Sequence, residues 1–260
     1  MTYAGVELTT QTVLLLVLAG FLAGWVDAVV GGGGLIQLPA LLLVPGMSPV
    51  QALATNKLAG FMGTSVSAVT FYRRVRPDLR TALPMALAAL AGAGGGAALA
   101  SLLPPGVFKP VILVALVLVA IYTIARPNVG QATDLRWTGR RHVGAAVWLG
   151  AAIGFYDGLL GPGTGTFLVI ALVAVLGYAF LEASAKAKIV NAATNLGALV
   201  VFALQGAPLW KLGLVVGVAN VAGAYLGARM AVAHGSRFVR IVFIVIVTAL
   251  IARLAYDLLT

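Results

Sequence analysis

The sequence predicts an all-α polytopic membrane protein built as two inverted repeats of about five helical elements each. Three observations carry that expectation. The first is composition: 61% of the 260 residues are hydrophobic, mean hydropathy is +1.05 and only 9% are charged, against roughly 25% in soluble domains. The second is spacing. The apolar residues fall in repeated runs of about 15 to 25, and about 20 residues of helix cross the hydrocarbon. The third is repetition. Gly24-Trp-Val-Asp27-Ala-Val-Val-Gly-Gly-Gly-Gly34 and Gly154-Phe-Tyr-Asp157-Gly-Leu-Leu-Gly-Pro-Gly-Thr164 each set one carboxylate and a glycine cluster inside a long apolar run, half a chain apart. Repeated halves with charge and helix breakers at their centres are the pattern of a membrane transporter.

Eight spans are clear, at about 12–30, 49–71, 81–101, 108–125, 143–160, 184–205, 209–230 and 238–256. Two further apolar segments, 34–45 and 165–180, follow the glycine clusters and are short enough to be broken or re-entrant. Loop charge decides how they run. The net charge of +10 gathers between apolar runs, at Arg73 to Arg80, Arg126 to Arg141 and Arg229 to Arg240. Arginines in short loops stay on the cytoplasmic face. With all three basic loops inside, both short segments must cross. The result is ten crossings, five per half, with both termini outside. An odd number per half inverts the second half relative to the first. The expected organisation is a first transmembrane repeat at 1–126, a cytoplasmic linker at 127–142 and a second repeat at 143–260. The N-terminus carries only Glu7 before the first run and lacks the basic region of a signal peptide.

Several classes are excluded. There is no cysteine, so no disulfide or thiolate metal site is expected, and no metal or other cofactor is called for. The basic residues sit in loops rather than along a nucleic-acid footprint. No Walker loop, HExxH helix or nucleophile elbow occurs, so no catalytic residues and no enzyme are expected. His142 and His234 both lie beside arginines and are expected in solvated connections.

Lys57 is the sharpest candidate. Its span begins near Ser48-Pro49, which places it about 12 Å deep. A bare ammonium at that depth should face protein, water or an anion. Lys188 stands about four residues into its own helix, and in an inverted repeat the two helices enter from opposite faces. Lys186, nearer the rim, is expected to snorkel to the interface. Asp27 and Asp157 hold matched positions before the glycines. Three roles are open to them: pairing with a central lysine, exchanging a proton, or capping amides freed at a helix break.

Gly31, Gly32, Gly33 and Gly34, and Gly161-Pro-Gly163-Thr164-Gly165-Thr166, cannot be ordinary helix. If they unwind, backbone N–H groups and helix N-termini become available at depth, which suits an anion. Thr55, Asn56, Asn191, Thr194 and Asn195 add polar groups in the two lysine-bearing spans. Lys188, Asn191 and Asn195 share a helix face. Gln37 and Asn220 fit either a cavity wall or helix–helix hydrogen bonding. Gly92/Gly96 and Gly223/Gly227 are matched GxxxG pairs, read first as close helix packing. Together with apolar outer faces they permit a homodimer without requiring one.

At these motifs the chain closely resembles the sulfite exporter TauE/SafE family of bacterial membrane transporters. The matching pieces are Gly24 to Pro39, Ala52-Leu-Ala-Thr-Asn-Lys57, Gly154 to Thr166 and Ala183 to Asn195, and the likeness runs over nearly the whole chain. The resemblance implies a carrier in the cytoplasmic membrane for small sulfur-containing anions such as sulfite, thiosulfate or sulfoacetate, driven by an ion gradient. It also implies that Asp27, Gly31–Gly34, Thr55–Lys57, Asp157, Gly161–Thr166, Lys188, Asn191 and Asn195 carry the family's signatures. The residues themselves argue only for a compact anion and a proton or other coupling ion. An anion channel and a non-transporting membrane scaffold stand as the rival readings. The scaffold has no need of polar groups at matched depths.

Overall fold

A computed structural model describes residues 9–102 and 132–259, together with Thr2–Tyr3, Val6–Glu7 and residues 117 and 130. The expected span at 108–125 and most of the expected linker before residue 132 lie outside the described residues. Ahead of the helices, β1 (Thr2–Tyr3) and β2 (Val6–Glu7) pair antiparallel. Everything else described is helix or short connection.

Helix α1 spans Thr10–Val30. The Thr9 hydroxyl caps it, accepting from Thr12 N at 3.1 Å. It stops at Gly31, whose φ of +88° is left-handed, and glycine takes that conformation without Cβ strain. Helix α2, Gly34–Leu42, has nine residues, about 13 Å of rise, and cannot cross a hydrocarbon core of about 30 Å alone. Helix α3, Pro49–Val75, starts on a reciprocal capping box between Ser48 and Gln51 with proline at its first position. That arrangement satisfies two amides that the helix itself cannot. Asp78 caps α4, Leu79–Leu99, which runs on into one 3₁₀ turn, Ala100–Leu102.

The second half repeats the order. Helix α5 is Gly139–Leu159. After a turn, α6 spans Thr164–Ala171 and continues as a π turn, Leu172–Leu176. Helix α7 is Phe180–Leu204. Helix α8, Trp210–Leu259, is broken at Gly235, where φ is 71° and ψ −167°. Among the described residues, four helical stretches are long and apolar enough to cross a membrane by length and composition: Thr10–Val30, Leu79–Leu99, Phe180–Leu204 and Trp210–Ala249. Helices α3 and α5 fall outside that group. Lysine and arginines lower the mean hydropathy of α3, and α5 opens on Arg140, Arg141 and His142.

Packing is exchanged between the halves. Helix α1 lies along α8, and α5 lies along α4; α3 packs on α7 and α8, and α7 on α3 and α4. Exchanging α1, α3 and α4 with α5, α7 and α8 leaves this pattern unchanged. The matched glycines make the tight seams. A Cβ on Gly92 or Gly96 would overlap the carbonyl oxygens of Ala151 or Phe155, and one on Gly223 or Gly227 those of Phe21 or Trp25. Backbones can approach this closely only across small residues, and in lipid such contact substitutes for the missing hydrophobic drive.

Candidate functional site

The two glycine breaks meet. Gly31 lies against the Gly165 backbone so closely that neither has room for a Cβ. Thr166 N donates to Gly31 O at 3.1 Å and the Thr166 hydroxyl to Val30 O at 3.2 Å. Gly161 and Gly163 are left-handed, at φ +89° and +83°. The Tyr156 hydroxyl holds the intervening turn by donating to Pro162 O at 2.7 Å. The starts of α2 and α6 sit on Gly33 and Gly163, and neither has a side-chain cap. Such ends leave backbone donors for other acceptors.

Around this junction the four ionisable candidates form two ion pairs, each across the halves. Lys57 Nζ on α3 lies 2.7 Å from Asp157 Oδ1 on α5, with side chains 1% and 2% exposed. Lys188 Nζ on α7 lies 3.2 Å from Asp27 Oδ2 on α1, at 0% and 13%. Lys188 also donates to the Asp27 carbonyl oxygen. Of the three roles open to the aspartates, the geometry therefore includes pairing for both. Asp157 has more. The Thr164 hydroxyl lies 2.6 Å from its Oδ1 and 2.8 Å from Gly161 O. Its Oδ2 is buried with no hydrogen-bond partner among the described residues, an unusual state for a carboxylate oxygen.

A polar cavity of about 30 Å³ lies here, room for roughly two waters. Its walls include Asp27, Lys57, Asn56, Asp157, Asn191 and Asn195, with Gly31, Gly33, Gly34, Gly161, Gly163, Thr164 and Gly165. Four expected residues stand elsewhere. Thr55 turns its hydroxyl to accept from Leu209 N at 3.1 Å, and Thr166 is spent on Val30. Gly32 is not in the wall, and Lys188 reaches the site through Asp27.

Gln37 and Asn220, open to either reading, take both roles. They line the cavity, and Asn220 Nδ2 donates to Gln37 Oε1 at 2.8 Å. Gly60 and Thr64 complete the wall and were not expected. The signal for them exists: with Asn56 they are spaced four apart on one face of α3. A Cβ on Gly60 would come within 3.2 Å of Asn195 Oδ1, so glycine there leaves the two polar helices room to face each other.

Two expectations fail nearby. Lys186 does not snorkel; it is fully buried. It donates to Asp78 O at 3.0 Å, lies 3.6 Å from Glu182 Oε1 and sits 4.5 Å from the centroid of the Tyr178 ring. His142 is not in a solvated loop. It lies in the first turn of α5, 4% exposed, with Nε2 2.7 Å from the Tyr178 hydroxyl. Neighbouring arginines misled the reading, because a helix start can be charged on one face and buried on the other. His234 does remain exposed, just before the break in α8, with Nδ1 2.8 Å from Met230 O. Among the described residues, no three His, Cys, Asp or Glu are grouped to hold a metal.

The family model described as sulfite exporter TauE/SafE matches residues 16–254. The chain is 38% identical to the probable membrane transporter protein ORF9 of Sinorhizobium sp, over 96% of this chain and 95% of that protein. It is 33% identical to the probable membrane transporter protein YfcA of Escherichia coli K12, over 94% and 89%. It is 32% identical to a probable membrane transporter protein of Haemophilus influenzae, over 94% of each. No solved structure matches the chain. With apolar helices throughout and bacterial membrane relatives along its whole length, the chain is a multi-pass protein of the bacterial inner membrane and belongs to the sulfite exporter TauE/SafE family.

Proposed function

We propose that the protein is a secondary transporter for a small sulfur-containing anion, such as sulfite, thiosulfate or an organosulfonate like sulfoacetate, and that it works by alternating access coupled to protons. The observation that carries the reading is the reciprocal pairing of Lys57 with Asp157 and Lys188 with Asp27 around one polar cavity. Two lysines and two aspartates sum to zero charge. An anion that enters adds one or two negative charges to a dry site, which is costly. A proton on a carboxylate offsets one of them and frees the partner lysine to face the anion. Asp157 Oδ2, buried and unpartnered, is the natural place for that proton. Asn56, Asn191, Asn195 and Thr164, with the helix starts at Gly34 and Thr164, supply the neutral donors.

The exchanged packing of α1, α3 and α4 with α5, α7 and α8 supports an inverted repeat, and ten crossings with both termini outside require α2 and α6 to cross together with the turns that flank them. A scaffold has no use for two buried ion pairs, whose desolvation often outweighs their attraction. The substrate class comes from the family, and the residues specify an oxyanion.

The test is uptake into proteoliposomes of sulfite, sulfate, thiosulfate, sulfoacetate and short carboxylates, with and without an imposed pH gradient. One sulfur anion should accumulate with the gradient, and Lys57→Ala and Lys188→Ala should each abolish its transport. Normal flux in both variants ends the lysine-site proposal. Flux that neither saturates nor follows the gradient identifies a channel.

A further inference from the structure

We propose that His142 is a proton-binding site controlling closure of the cytoplasmic side, so that acidification of the cytoplasm unlatches the carrier. The inference rests on the transporter reading for its orientation, with the basic loops inside. It is carried by a polar cluster away from the central cavity.

The cluster joins six parts of the chain. Lys186 on α7 ties to the Asp78 carbonyl in the α3–α4 corner and to Glu182 on its own helix. The Thr81 hydroxyl on α4 donates to Asp78 Oδ2 at 2.8 Å. The Tyr178 hydroxyl, in the turn before α7, donates to Thr81 Oγ1 at 3.4 Å and meets His142 Nε2 on α5. Thr133, beside the linker, donates to Glu182 Oε2 at 2.8 Å and accepts from Ala179 N at 2.9 Å. The contact therefore fastens the start of α7 to the other half's corner.

The opposite end of the bundle makes the matched contact without charge. Thr55 stands in α3 where Lys186 stands in α7, and Leu209 precedes α8 as Asp78 precedes α4. There a neutral hydroxyl accepts a backbone amide. The fold thus carries two matched fastenings: the Thr55–Leu209 bond is neutral, and the cytoplasmic one is built on Lys186, Glu182 and Asp78. A buried lysine is not needed to hold a corner that threonine can hold, and burying its charge is expensive. Its presence next to a histidine makes the fastening sensitive to charge.

His142 lies ahead of the apolar run that begins at residue 143. The Tyr178 hydroxyl touches its Nε2, its Nδ1 is buried with no hydrogen-bond partner among the described residues, and the charges of Lys186 on α7 and Asp78 in the α3–α4 corner act on the ring. Burial first, and then the Lys186 charge, hold the imidazole below its ordinary value, while the Trp137 backbone and Asp78 oppose them. The closed form thus prefers neutral His142. Opening would return the ring to water and to an ordinary value near 6.5. The sign follows: closure is fully supported above that value and loses support as pH falls below it.

Ser184 gives the reporter. It lies four residues before Lys188 on the same face of α7, one turn nearer the cytoplasm. It is fully buried, and its hydroxyl has no partner among the described residues. Water reaching the cavity from inside would wet it. The chain has no cysteine, so Ser184→Cys is a near-isosteric single thiol, and Ala132→Cys in the exposed linker is the control.

Label both in inside-out vesicles with a membrane-impermeant maleimide at pH 7.5 and 5.5, without any anion substrate. The Ser184→Cys rate relative to the control should rise at least threefold at pH 5.5. In the His142→Gln background it should stay flat, which removes the thiol's own titration from the comparison. Should His142→Gln fail to fold, Asp78→Asn serves. It keeps a capping side chain at α4 but removes a charge that favours the imidazolium in the closed form, so the rise between pH 7.5 and 5.5 should be larger than with Asp78. An equal rise with and without His142, no rise at all, or a smaller rise in Asp78→Asn overturns the proposal. Because no substrate is present, these outcomes are independent of whether sulfur anions are carried.

Discussion

Removing Lys57 should expose how the buried pairs stabilise the bundle. In Lys57→Met the Asp157 carboxylate keeps its 2% exposure and loses the cation paired with it. Breaking a buried pair from one side costs about 3–5 kcal/mol, a drop of roughly 10 °C in thermal midpoint for a chain of this size. The double variant Lys57→Met/Asp157→Leu removes both charges and should recover most of the loss, while transport stays absent. The assay is thermal unfolding of the purified protein in detergent, run as a double-mutant cycle. If the two single losses simply add, with coupling below about 0.5 kcal/mol, the pair is not an energetic unit and the reasoning fails. The same cycle on Lys188 and Asp27 should give a smaller coupling, because Asp27 is 13% exposed and water screens it.

Further outcomes follow from the same geometry. Asp157→Asn should lose accumulation driven by a pH gradient while retaining substrate exchange at equal pH, measured by counterflow; retained accumulation would move the proton elsewhere. Gly223→Val should break the α1–α8 seam, since even a Cβ there meets the Phe21 carbonyl oxygen, and should lower folded yield on size-exclusion chromatography far more than Gly144→Val, where a Cβ meets nothing within 4 Å. Asp78→Ala should cost about 1 kcal/mol at pH 7 through the lost cap. Burial raises the Asp78 carboxyl, but hydrogen bonds from Arg80 and Thr81 and the Lys186 charge together hold it below its ordinary 3.8. The cap's contribution is therefore present above that value and fades as pH falls through the lower one, so the difference between wild type and variant in thermal scans should shrink as pH falls below 3.8.

Composition and local chemistry were enough for the class. Apolar runs in lipid must satisfy their backbone internally, so hydropathy specifies helices whatever the fold. Glycine clusters break helices where they stand, and the matched breaks at Gly31 and Gly161 are where α1 and α5 end. Helical periodicity also made part of the cavity readable. Asn191 and Asn195 share a face and line it, and Asn56, Gly60 and Thr64 follow the same rule. Thr55, two residues from Lys57, shows the rule's other side, since positions i and i+2 point apart. A family likeness along the chain pointed to the transporter family.

Partnership was decided only by the tertiary structure. Lys57 and Asp157 are 100 residues apart, and Lys188 and Asp27 are 161 apart. Nothing in the chain says that each lysine takes the other half's aspartate. The burial of Lys186 and His142 was equally hidden, because a charged residue at a helix start faces water or protein according to what packs against it. Periodicity is a property of one helix and can be read along the chain. Which charge neutralises which depends on how α1, α3, α5 and α7 meet, and that is set by the glycine seams holding α1 to α8 and α5 to α4.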